Sequence, residues 1–110
     1  MKVAILLKSG PDSAEAERTL TIASDMLSQG HAVTLCLMQD AVHLCRSGAS
    51  SPVAVHFQTL LEKQLSVKAL KQDSSLRGIG QVSEKNAINT GDYSSLIDLI
   101  ESSDRVIGIL

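Results

Sequence analysis

Two cysteines, three histidines and a few lysines at the ends of apolar runs are the groups in this chain that could do chemistry, and their spacing decides which chemistry. Cys36 lies inside the run His31 to Met38, His-Ala-Val-Thr-Leu-Cys-Leu-Met, where a free cysteine behaves as a small apolar residue. Cys45 follows Asp40 on a short helical stretch, Ala41 to about Ser47, just past the end of that run. His43 and Arg46 stand close enough in sequence to favour its thiolate, the form that attacks sulfur or carbon. Ala41, Leu44 and Cys45 equally make the buried side of the same helix, so a reactive thiol and an inert one both fit the pattern. His43 and Cys45, two residues apart, point to nearly opposite sides of a helix. With His31 and His56 far away in sequence, no metal site is expected. The serines lack the G-x-S-x-G turn that would expose a hydrolase nucleophile.

A second constellation concerns anions. Ser9-Gly10-Pro11-Asp12 connects an apolar run to a helix start, and free N–H groups at such a start attract phosphate. Lys8 and Lys71 directly follow apolar runs, and Asp40 follows another, so Lys8, Ser9, Gly10, Asp40 and Lys71 together would line the carboxyl edge of a sheet as a small-anion or nucleotide site. Pro11 removes one donor, and neither the G-x-x-x-x-G-K-[ST] nor the G-x-G-x-x-G pattern is present, so a structural turn with solvated lysines reads equally from the same residues. A phosphoacceptor receiver domain needs an acidic cluster after the first strand and an Asp after the third; Lys8-Ser9-Gly10 and Lys71-Gln72 stand there instead.

The elements that must position these groups alternate strand with helix. Val3 to Leu7 is uninterrupted and apolar, as suits a strand covered on both faces. Pro11 is expected in the first turn of a helix running to residue 29, with Asp12 and Glu15 where the dipole favours negative charge. Ala16, Leu20, Ala23 and Leu27 form its apolar stripe, widened by Ile22 and Met26, and Gly30 closes it. His31 to Met38 gives a second strand and completes a βαβ unit with a right-handed crossover. Gly48 to Pro52 reads as a mobile loop, after which Ser51 and Pro52 start a helix with Val53, Phe57, Leu60, Leu61 and Gln64 along one side. Ser66 to Leu70 alternates polar and apolar, which places this third strand nearer a sheet edge than the first two. A helical turn or two over Gln72 to Leu76 ends at Arg77-Gly78, and a short strand lies around Ala87 to Asn89. Asp92 caps a helix whose Tyr93, Leu96, Ile97 and Ile100 share a face, and Arg105 to Leu110 is the last strand.

Composition bounds what such a domain can do. The 110 residues make one domain, 1–110, with a core but no room for two. Phe57 and Tyr93 are the only aromatics, so a flavin or a single-stranded nucleic acid would find almost nothing to stack on, and no cofactor is expected. A net charge of −2 with both signs scattered gives no basic stripe for nucleic acid. No apolar run reaches the length of a secretory core or a membrane span, so the protein is expected in the cytoplasm with its two thiols reduced.

Lys2-Val-Ala-Ile-Leu-Leu-Lys8 with the long helix after it, then Val33-Thr-Leu-Cys-Leu-Met38 followed by Asp40-Ala41-Val42, resembles the first half of DsrE/DsrF/TusD-like proteins. Arg77-Gly78, Gly91-Asp92-Tyr93 and Asp104-Arg105-Val106-Ile107 continue the resemblance over nearly the whole chain. It implies a three-layer α/β/α domain, flavodoxin/Rossmann-like, with a mostly parallel five-stranded sheet. It also implies self-association as a trimer or hexamer, in some cases with paralogous DsrE-like subunits. Catalytic members of the family are sulfur carriers that accept a persulfide on a cysteine and pass it on, chemistry that requires a thiolate. The resemblance puts the carrier cysteine just after the third strand, upstream of Arg-Gly, where this chain has Leu70-Lys71-Gln72-Asp73-Ser74-Ser75-Leu76. No cysteine follows Cys45. Three roles stand open: a noncatalytic or regulatory subunit of a sulfur-relay assembly, a sulfur carrier that uses Cys45, and a small-anion or nucleotide binder.

Overall fold

The computed structural model describes residues 1–45, 51–79 and 88–109. In chain order its elements are β1 (Lys2–Leu7), α1 (Ala14–Ser28), β2 (Ala32–Leu37), a 3-10 helix (Gln39–Cys45), α2 (Pro52–Glu62), β3 (Ser66–Leu70), α3 (Lys71–Leu76), β4 (Ile88–Gly91), α4 (Tyr93–Ser102) and β5 (Arg105–Ile109). The five strands form one sheet in the order β4-β3-β2-β1-β5, and every pairing is parallel, not merely most of them.

This order explains how the helices are shared between the two faces. From β1 to β4 the chain steps across the sheet in one direction, and right-handed crossovers keep α1 and α2 on one face. The step from β4 back past β1 to β5 runs the other way, so α4 lands on the opposite face. Val3, Ile5, Leu7, Leu35 and Val67 pack with Leu20, Phe57 and Leu60 in the core under α1 and α2. Ala4, Cys36 and Leu70 are buried on the other side, beneath α4. Leu6 is only half-buried, so β1 is not fully covered on both faces as its apolar run suggests.

Several ends differ from the sequence reading for identifiable reasons. α1 starts at Ala14, not Pro11: Ser13 takes the cap, its Oγ accepting from Ala16 N at 3.1 Å, while its own N–H donates to Gly10 O at 3.1 Å to close a turn through Pro11 and Asp12. At the other end Gly30, at φ +87°, provides the left-handed residue that lets His31 N reach back to Met26 O. α2 stops at Glu62, and Gln64 does not extend its apolar side. It adopts φ +72° in the same kind of stop, with Leu65 N donating to Leu60 O. β3 is an interior strand, one in from the edge just as β1 is; its alternation reflects two unlike faces, with Val67 and Ala69 in the core and Lys68 half-buried on the other side. The expected loop at Gly48 to Pro52 lies outside the described residues except for Ser51 and Pro52, which do start α2. The short strand expected at Ala87 to Asn89 is described as Ile88 to Gly91.

Candidate functional site

All parallel strands deliver their following residues to one edge of the sheet, and the candidate residues stand there. β1 is followed by Lys8, Ser9 and Gly10. The carbonyl of Gly10 accepts from Ser13 N and, at 2.6 Å, from Ser13 Oγ, and a side chain at Gly10 would meet Asp40 Cβ at 3.6 Å. Ser13 Oγ takes one of the first N–H groups of α1, and Glu15 and Glu17 occupy its first turn.

Beyond β2 the chain turns through Gln39, at φ +50°, into the 3-10 helix, which takes in Gln39 and Asp40 as well as the start of the short helical stretch expected over Ala41 to about Ser47, whose last two residues lie outside the described ones. Asp40 does not cap. Its Oδ1 instead accepts from Arg77 Nε at 2.9 Å. Arg77 also lies 3.6 Å from Asp73 Oδ1, and Asp73 Oδ2 accepts the backbone N–H of Gln39 at 2.7 Å. Asp73 is buried, so its carboxylate is satisfied by one cation and one backbone donor across the β2 and β3 ends. Gly78, at φ +67°, then ends α3, with Ile79 N donating to Ser74 O. No local pattern joins Gln39, Asp40, Asp73 and Arg77 into one network; the signal present is the i,i+4 spacing of Asp73 and Arg77.

The thiols lie in apolar surroundings. Cys36 is buried on β2, and burial pushes its pKa up to about 11 against a smaller opposing pull from the Lys68 charge. Cys45 is half-buried at the end of the 3-10 helix, packed against the core under α1 and α2, and burial pushes it up to about 12. Both are protonated thiols at neutral pH. Arg46, one of the two basic neighbours read as favouring a Cys45 thiolate, lies outside the described residues.

Lys71 stands apart from the other anion candidates. It opens α3 and, with Gln72 and Ser75, lines a cleft of about 860 Å³ whose far wall is Thr90, Asp92 and Ser95. Asp92 caps α4: its Oδ1 accepts from Ser95 N at 2.9 Å, and that bond draws its carboxyl pKa below the usual value. The edge is therefore divided into two places. Gly10 and Asp40 meet in the first, where Arg77 and Asp73 join them, and Lys71 faces the second. Among the described residues no three His, Cys, Asp or Glu side chains gather where a metal ion could be held, and no helix is long and apolar enough to cross a membrane.

Comparison with known proteins places this geometry. The sequence matches the DsrE/DsrF-like family over residues 1–109. No curated protein matches. The fold superposes on the ychN protein of E. coli with a TM-score of 0.87 at 23% identity, covering 98% of each chain. A conserved protein of unknown function, BT1422 from Bacteroides thetaiotaomicron, superposes with a TM-score of 0.77 at 13% identity, covering 98% of this chain and 94% of that one. Likeness at these identities is one of fold.

Proposed function

This chain belongs to the DsrE/DsrF-like family, and on that premise we propose that it is a cytoplasmic, noncatalytic or regulatory subunit of a sulfur-relay assembly. It works by occupying a place among copies of itself or paralogous subunits, not by carrying sulfur. One observation carries the reading. The stretch after β3, where carriers of this family hold their cysteine, is here α3, and it is tied down by Asp73 and Arg77 with no thiol in it. A persulfide carrier needs a thiolate with a path to its donor. Burial raises the pKa of both Cys36 and Cys45, which disfavours the thiolate that role requires.

The test is incubation with a low-molecular-weight persulfide donor, followed by intact-protein mass spectrometry. The expected spectrum shows no added sulfur under native conditions. A gain of one sulfur atom that disappears in Cys45→Ser would overturn the reading and make Cys45 the carrier.

A further inference from the structure

We propose that the cleft between α3 and the start of α4 is a binding site for a small hydroxylated organic anion, one that carries a phosphate or a carboxylate on a short aliphatic chain. The inference goes beyond the subunit reading and stands without it. At about 860 Å³ the cleft has the size of a small-molecule site. Its polar side chains are uncommitted. Among the described residues Lys71 has no carboxylate within 4 Å, and no hydrogen bond ties the side chain of Gln72, Ser75 or Thr90 to another protein group. The carboxylate on the lining, Asp92, is already engaged at the start of α4, where it accepts from Ser95 N at 2.9 Å and from the Ser95 hydroxyl.

A second cation stands behind Lys71. Lys68 is half-buried on β3 and lines the narrow crevice next to the cleft together with Gly91 and Asp92. Gly91 makes room for it. A Cβ at Gly91 would lie 3.3 Å from Lys68 Cδ and 3.0 Å from Ser95 Cβ, so the lysine stem runs past β4 where a side chain would crowd it. Gly91 is not in the left-handed region, so close approach is what glycine provides at this point. Lys68 also has no carboxylate within 4 Å among the described residues. An ammonium half out of water without a counter-ion regains from an incoming anion the stabilisation that burial removed. Two lysines against one engaged carboxylate therefore select a negative ligand. The rest of the lining narrows its class. Among the described residues no aromatic side chain lines the cleft, so a nucleobase has nothing to stack on. Gln72, Ser75 and Thr90 suit ligand hydroxyls, and Leu76, 80% exposed at the rim, suits a short carbon chain.

Calorimetric titration and thermal melts of the whole chain test this with glycerol 3-phosphate and malate as probes. Glycerol is the neutral control, and sodium chloride matches the ionic strength. Either anion is expected to bind and to raise the melting temperature, as a ligand selective for the native state must, while glycerol does neither. Lys71→Ala should weaken binding about tenfold, and Lys68→Met, which keeps the apolar stem, should weaken it as well, because each removes a charge-assisted contact. Lys63→Ala, an exposed lysine past the end of α2, should leave affinity unchanged. Binding of one anion alone upholds the site and names its head group. Absence of heat and of any melting shift with both anions at about 10 mM overturns the inference. So does binding indifferent to both Lys71→Ala and Lys68→Met, or glycerol binding as well as the anions. Such a failure leaves the subunit reading intact, whereas sulfur uptake breaks that reading and leaves the cleft as argued.

Discussion

On the face under α1 and α2, Leu20, Phe57 and Leu60 are all but sealed, whereas on the other face Leu96 is the single buried residue of α4, and Leu6 and Val106 stay partly open. The same sheet thus has one face closed over and one that stays partly open. Composition alone does not distinguish them, since α4 is as apolar in sequence as a core helix. What separates them is topology: successive crossovers in one direction stack two helices on one side, and a single reversed crossover leaves one helix on the other. The carboxyl edge shows a similar contrast between the network of Asp40, Arg77 and Asp73 and the cleft beside Lys71.

Substitutions can break or sharpen this contrast. Phe57→Ala, on the closed face, should lower unfolding free energy by about 3–5 kcal/mol in urea melts, because it opens a cavity in a closed core. A loss below about 1 kcal/mol would mean that face is not the stable one. Asp73→Ala should follow with a loss of about 2 kcal/mol, since it strands the Gln39 N–H and removes a carboxylate from Arg77. Gln64→Gly should raise stability by about 1 kcal/mol, because glycine holds the left-handed conformation without steric cost. Ile97→Ser, on the partly open face, should change stability by no more than about 0.5 kcal/mol, and a larger loss would show that this stripe belongs to the chain's own core.

The parts of the fold legible in the sequence are those set by local chemistry. Ser51 and Pro52 at the start of α2, Asp92 at the start of α4 and Gly30 after α1 each act on backbone groups a few residues away, and each stands where the pattern puts it. Ser13 outcompeted Pro11 for the first turn because a side-chain acceptor for Ala16 N outweighs a favourable φ at Pro11. The interior position of β3 was hidden because its alternation records two different coverings, not exposure to water. At the carboxyl edge, the bond from Gln39 N to Asp73 and the pairing of Arg77 with Asp40 span 34 and 37 residues, beyond the reach of any local pattern. Likewise, the burial of Cys45 depends on core residues from other elements, so its basic neighbour in sequence, His43, was a poor guide to its acidity.

The central claim, that this chain holds no thiol poised to carry sulfur, is tested most directly by alkylating the native protein across pH and locating the label by mass spectrometry. Burial raises the Cys45 pKa from 9.0 to about 12, so the native protein keeps a proton that the unfolded chain releases near 9.0. The Cys45 contribution to stability should therefore be flat below that pH and fall as pH rises toward 12. Labelling of Cys45 at pH 7 to 8 should be far slower than in the denatured chain and should climb only above pH 9.0. Rapid labelling of native Cys45 at neutral pH, with a titration midpoint near or below 7, would contradict the account.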